Sequence, residues 1–207
     1  MKNRQRGFTL IELLVVMTLM LVLMTLAVPV IWSTMRQGKI RGAATETAVL
    51  MRRARLEAIK DSCLAIVRIV DAVGNEPARV EAFADCTQPP DYEPDADRPL
   101  LGTIHLPNGV RFMAPPDLEG KDSLSNTLSE NPADSSAARM AIFESNGSVR
   151  DIGGIRFGDD LGNFLEVWVE PAATARIEIH KCRLCTNAEE RKDWQAQGDG
   201  GQSWEWK

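Results

Sequence analysis

Apolar and polar positions change their period several times along this 207-residue chain. Residues 1–7 carry Lys2, Arg4 and Arg6, and the run from Leu13 to Ile31 then has no charged residue over 19 positions. That length matches the roughly 17–25 residues a helix needs to cross the hydrocarbon core of a bilayer. The pattern predicts a basic leader over 1–7 that stays cytoplasmic and a membrane helix over 8–32. Glu12 lies at the edge of the run, where an acid is costly in lipid unless partnered, which marks it as a functional residue. Pro29 lacks a backbone donor and disfavours a straight helix around it. A removable secretory signal needs a shorter apolar core and small residues before the cut, and Leu26-Ala27-Val28-Pro29 lacks them. A plain anchor leaves Gly7-Phe8 and Glu12 unexplained.

From 33 to 61 the helical period continues. Ile40, Ala43, Thr47, Leu50, Ala54 and Ala58 recur at three- and four-residue steps, flanked by Met51 and Ile59. This predicts an amphipathic helix whose apolar stripe needs a partner surface. Arg52, Arg53 and Arg55 fall largely off the stripe and read as a solvated face, with Glu57 and Asp61 near enough to pair in part.

The period then becomes that of strands. Residues 63–70 and 78–84 read as two strands around Gly74-Asn75-Glu76-Pro77. Residues 88–99 read as a loop. Two short apolar runs, 103–106 and 110–113, flank Pro107-Asn108-Gly109, which is a hairpin signal. Residues 115–136 predict a long polar loop with one helical turn near Ser123–Leu128. A strand over 139–143 runs into Ser145-Asn146-Gly147-Ser148, another turn signal. Further strands are predicted around Phe164–Val169 and over 175–180, where Ala175, Ile177 and Ile179 share a face. One long helix followed by strands predicts an α+β layer arrangement, with a β-rich domain over 62–186 and a polar tail over 187–207.

Charge alters the list of partners. The chain has a net charge of −5, and the basic leader makes the remainder more acidic still. From Ala172 to the end, Lys and Arg equal Asp and Glu in number. Nonspecific attraction to nucleic acid is therefore disfavoured.

Candidate chemistry rests on few residues. Four cysteines, Cys63, Cys86, Cys182 and Cys185, allow three complete pairings. Cys63 and Cys86 lie at the outer ends of two strands able to form a hairpin, so a bridge between them is geometrically reasonable. Cys182 and Cys185 are spaced to close locally, to act as a redox pair, or to supply half of a metal site to which His180 adds a third ligand. A thioredoxin-like role lacks its βαβ context. The only histidines, His105 and His180, occupy no hydrolase or phosphate-loop motif, so catalysis is not expected. No cofactor is expected either. Asp91, Glu93, Asp95 and Asp97 cluster in a loop that lacks the glycine and terminal glutamate of an EF-hand. Trp194, Trp204 and Trp206 in the tail are expected to dock on the domain, with a partner surface as the alternative.

One stretch carries a family resemblance. Arg6-Gly7-Phe8-Thr9-Leu10-Ile11-Glu12-Leu13-Leu14-Val15-Val16 resembles the class III signal of type IV prepilins and type II secretion pseudopilins. The resemblance implies cleavage between Gly7 and Phe8 by a prepilin peptidase and N-methylation of Phe8. It also implies pairing of Glu12 with a neighbouring subunit's N-terminal amine, and a helix-bending role for Pro29. More narrowly, Met140–Ser148 and the strand that ends near Ile179 are similar to the minor pseudopilin H and FimT-type minor pilins, as is the helical run over 47–59. Where those proteins often end in a glycine-arginine run, this chain has His180-Lys181-Cys182-Arg183-Leu184-Cys185. The implied role is a minor pseudopilin in the inner membrane with a periplasmic domain, whose partners are other pseudopilins, the prepilin peptidase and the secretion platform. A type IV pilus minor pilin, serving pilus assembly or DNA uptake, and an anchored periplasmic metal-binding or redox module are the alternatives.

Overall fold

The computed structural model describes residues 9–88, 90, 92–94, 100–113, 140–150, 153–182 and 194–196, although not the side chains of Leu26, Pro29, Val30 or 194–196. The expectations for Gly7, Phe8, Cys185, Trp204, Trp206, the Asp91, Asp95 and Asp97 side chains and the turn near Ser123 lie outside those residues. The chain forms two compact units that divide between Gly38 and Lys39.

Helix α1, Leu10–Asp61, contributes to both units and continues through Pro29. In the first unit its described apolar side chains, among them Leu14, Leu21 and Met24, are exposed. Among the described residues, no helix is long and apolar enough to cross a membrane.

In the second unit the fold is α+β. Ile40, Ala43, Ala44, Ala48, Leu50, Met51, Ala54 and Ala58 are buried, which is the face the three- and four-residue spacing predicts. Ile59 falls off that face and is 44% exposed. A Cβ on Gly102 would lie 2.7 Å from the Leu50 side chain, so that glycine permits the approach of its own segment to Leu50.

Two antiparallel sheets complete the unit. The first has the order β3-β2-β1-β5, with β1 Leu64–Val70, β2 Arg79–Asp85, β3 Gly102–His105 and β5 Met140–Phe143. The second has the order β4-β6-β7-β8-β9, with β4 Val110–Phe112, β6 Gly153–Asp159, β7 Phe164–Glu170, β8 Arg176–Cys182 and β9 Trp194–Ala196. One hydrophobic cluster joins the helix to both sheets through residues such as Val67 and Phe143 of the first and Phe157 and Val167 of the second. On the other face of the first sheet Ile66, Phe83, Met140 and Ile142 form a smaller cluster, against which Leu64 and Tyr92 pack. Strand β1 is thus apolar on both faces, which explains its nearly unbroken hydrophobic sequence.

The expected hairpin around Pro107-Asn108-Gly109 does not form. The turn itself is present: Val110 N–H donates to the Pro107 carbonyl at 3.0 Å, and Gly109 has φ +89°. However, β3 pairs with β2 and β4 pairs with β6, in different sheets. Leu106 and Val110 enter the shared core from either side of the turn. This makes the turn a corner between sheets, because a reversal signal specifies the bend and not the pairing partner.

Strands β6 and β9 have no clear counterpart in the sequence pattern. Strand β6 contains Gly153, Gly154 and Gly158, and glycine weakens any strand signal. Strand β9 places Trp194 opposite Cys182 on the outer edge of the second sheet.

Candidate functional site

The N-terminus of α1 is built as a capping box. Thr9 precedes the first helical residue, and its hydroxyl accepts from Glu12 N–H at 3.3 Å. In return Glu12 Oε2 accepts from Thr9 N–H and from the Thr9 hydroxyl, each at 3.3 Å. Such reciprocal bonds satisfy donors that a helix start leaves unpaired. A carboxylate in the first turn also complements the helix dipole. Glu12 is therefore held within its own chain. The Thr-x-x-Glu spacing is the sequence signal of this arrangement, and Thr9 is a site residue that the apolar run alone does not mark.

At the other end of α1, Arg52 and Arg53 are exposed, as a solvated face requires, whereas Arg55 is half-buried. Arg52 donates to the Ile177 carbonyl at 3.0 Å, and Arg55 to the Gly147 carbonyl at 2.8 Å. The two side chains tie the helix to β8 and to the turn after β5. Glu57 pairs with Lys60 at 2.6 Å, and this hydrogen bond raises the Lys60 ammonium above its ordinary value.

Cys63 and Cys86 form a disulfide with Cα atoms 4.9 Å apart. The geometry follows from register. Leu64 faces Asp85 in the antiparallel β1–β2 pair, so the residues one step further out, Cys63 and Cys86, face each other. The bridge lines an open cleft of about 580 Å³ together with Asp85, Thr87, Glu144 and Arg150. Asp85 is buried, and Oδ1 accepts from Thr87 N–H at 3.0 Å and its hydroxyl at 2.6 Å. Its Oδ2 accepts from Tyr92 N–H at 2.9 Å. Arg150 pairs with Glu144 at 2.9 Å and donates to the Tyr92 hydroxyl at 3.0 Å. Glu93, in the acidic loop, pairs with Arg68 at 2.9 Å.

His180 is buried on the second sheet between two carboxylates. Its Nδ1 lies 3.2 Å from Glu166 Oε1, and its Nε2 lies 3.4 Å from Glu178 Oε2. Arg156 pairs with Glu166 at 3.2 Å, and Arg176 pairs with Glu178. The hydrogen bond from Arg176 holds the Glu178 carboxyl below its ordinary value. Cys182 is buried two residues along the same strand, which puts it on the same face as His180. Among the described residues, no three His, Cys, Asp or Glu side chains are grouped to hold a metal ion. His105 is exposed at the end of β3.

The prokaryotic N-terminal methylation motif matches residues 2–28. The match takes in Gly7, Phe8, Thr9 and Glu12, and it supports a protein of the type IV pilin-like class with a prepilin-type signal. Neither curated proteins nor solved structures give a match to this chain.

Proposed function

We propose that this chain is a minor pseudopilin, a structural and assembly subunit of the short periplasmic pseudopilus of a type II secretion system. The observation that carries the reading is the N-terminal methylation motif over residues 2–28, with Glu12 in the first turn of α1. The 19 uncharged positions from Leu13 to Ile31 support insertion in the inner membrane before assembly. The basic leader supports a cytoplasmic N-terminus and a periplasmic domain. A disulfide within that domain suits an oxidising compartment. A prepilin peptidase would cut between Gly7 and Phe8 and methylate Phe8, and the α1 helices of neighbouring subunits and the secretion platform would be the partners. The role is non-enzymatic and needs no cofactor, and the acidic domain does not favour nucleic acid.

Mass analysis of N-terminal peptides from membrane-extracted protein tests the reading. The expected mature chain begins at N-methylated Phe8. A start after Ala27, or retention of Met1 in cells with an active prepilin peptidase, would overturn it. Recovery of the processed protein with pilus subunits would assign it instead to a type IV pilus.

A further inference from the structure

We propose that the Cys63–Cys86 bridge is a redox latch that a dithiol opens in the folded domain, and that opening it loosens the segment after β2 that holds Tyr92.

Access is the first support. Both cysteines are half-buried and line an open cleft of about 580 Å³, whereas a purely structural bridge is commonly sealed in a core. Position is the second. The bridge lies one step beyond Leu64↔Asp85, the last pair of the β1–β2 ladder, so breaking it frays an end and leaves the remaining pairs in place. The third support is a ready partner for the reduced form. Cys63 Sγ lies 3.2 Å from the Asp61 carbonyl oxygen. Once reduced, its thiol has an acceptor there without any rearrangement of the helix end.

The consequence runs through Asp85. That carboxylate receives both Thr87 donors and the Tyr92 N–H, and it sits directly before Cys86. With the bridge closed, Asp85 is fixed at the end of the ladder and presents its oxygens to the following segment. With the bridge open, the terminal Leu64↔Asp85 pair is free to fray, and the hydrogen bonds to Thr87 and Tyr92 move with it. Tyr92 packs beside the Ile66, Phe83, Met140 and Ile142 cluster, so that cluster would lose part of its cover.

The chemistry is ordinary thiol–disulfide exchange. A thiolate of the incoming dithiol attacks one bridge sulfur. The S–S bond breaks, and the departing cysteine takes the electron pair and then a proton. The second thiol of the reductant displaces the mixed disulfide. Two electrons reach the bridge, and the reductant leaves as a disulfide. The proposal does not depend on the assembly reading, since it concerns only the second compact unit.

Full-length protein in detergent is treated with dithiothreitol in native buffer, quenched by alkylation and peptide-mapped, with hydrogen exchange followed in parallel. Cys63 and Cys86 are expected to be alkylated at a rate proportional to dithiothreitol concentration. Exchange at the Thr87 and Tyr92 amides is expected to rise several-fold, while the circular dichroism stays that of the folded domain. A Cys63→Ser/Cys86→Ser variant should show the faster Tyr92 exchange without reductant. Alkylation only in denaturant, or thiols that appear without faster Tyr92 exchange, or loss of the folded circular dichroism when the bridge opens, would each overturn the proposal. If the double variant does not fold, the titration of the natural protein decides alone.

Discussion

Replacing Gly154 with alanine should destabilise the domain, although the same change in an ordinary strand stabilises it. Glycine inside a strand costs roughly 0.5–1 kcal/mol relative to alanine through backbone entropy, so the default expectation is a gain. Gly154 faces Trp168 across the β6–β7 pair. A Cβ there would lie 2.7 Å from the Val167 carbonyl oxygen, 2.8 Å from the Trp168 ring and 3.2 Å from Trp168 Cα. Two of these atoms are backbone and cannot swing aside. The ring is also held, because Trp168 Nε1 donates to Glu170 at 2.7 Å. Overpacking of this kind costs about 1–3 kcal/mol, which exceeds the entropic gain at most of that range. A net loss of about 1–2 kcal/mol follows.

Gly158 provides the comparison within the same strand. A Cβ there would meet the Met113 side chain first at its Cγ and then at its Sδ, 2.6 Å away, with the Phe164 ring at 3.0 Å. A flexible thioether gives way more easily than a carbonyl, so Gly158→Ala should cost less than Gly154→Ala. Equilibrium urea unfolding followed by tryptophan fluorescence measures both, with unchanged m-values required for the comparison. A Gly154→Ala protein as stable as the natural one, or a larger loss at Gly158, would refute the steric argument.

Two further perturbations test the first sheet. Burial alone would push the Glu81 carboxyl up, but hydrogen bonds from Arg79 and Arg68 outweigh it and hold the group below its ordinary 4.5. Its contribution is thus present above about pH 4.5 and is lost as pH falls through the lower folded value; Glu81→Gln should flatten stability against pH in that acid window, as read by thermal melts. Removing the bridge with Cys63→Ala/Cys86→Ala, a closure over 23 residues of separation, should lower unfolding free energy by about 3–4 kcal/mol in urea titrations.

Much of this fold is legible where one periodicity has one interpretation. The stripe from Ile40 to Ala58 is buried as its spacing predicts, and β1 and β2 run within a residue of their predicted limits, which is what brought Cys63 opposite Cys86. Legibility fails where a residue's meaning depends on a distant partner. Asn108-Gly109 marks a reversal in either case, and only the pairing of β4 with β6 makes it a corner. Gly154 and Gly158 look like loop residues until Trp168 and Met113 occupy the space they leave. Arg55 looks like a surface charge until the Gly147 carbonyl reaches it. At the N-terminal site both parts are legible: lipid cost points to Glu12, and the Thr9-x-x-Glu12 spacing signals the cap.

The capping box separates two roles that Glu12 can serve. Both described hydrogen bonds from Thr9 end on Oε2. A carboxylate offers about four lone-pair sites over two oxygens, so Oε1 can receive a neighbouring subunit's amine while the cap stays intact. If assembly uses the negative charge, Glu12→Gln should fail to assemble although its amide oxygen keeps an acceptor for Thr9. Glu12→Ala should fail in the same way and also loosen the first helical turn, at about 0.3–1 kcal/mol for the lost first-turn charge. Thr9→Val should weaken the cap yet leave the charge available, and so reduce assembly less than either. Co-purification of each full-length variant with its fibre partners, beside circular dichroism of the extracted protein, distinguishes these outcomes. Full assembly by Glu12→Gln together with failure by Glu12→Ala would mean that Glu12 serves the helix start and that its charge does not direct subunit docking.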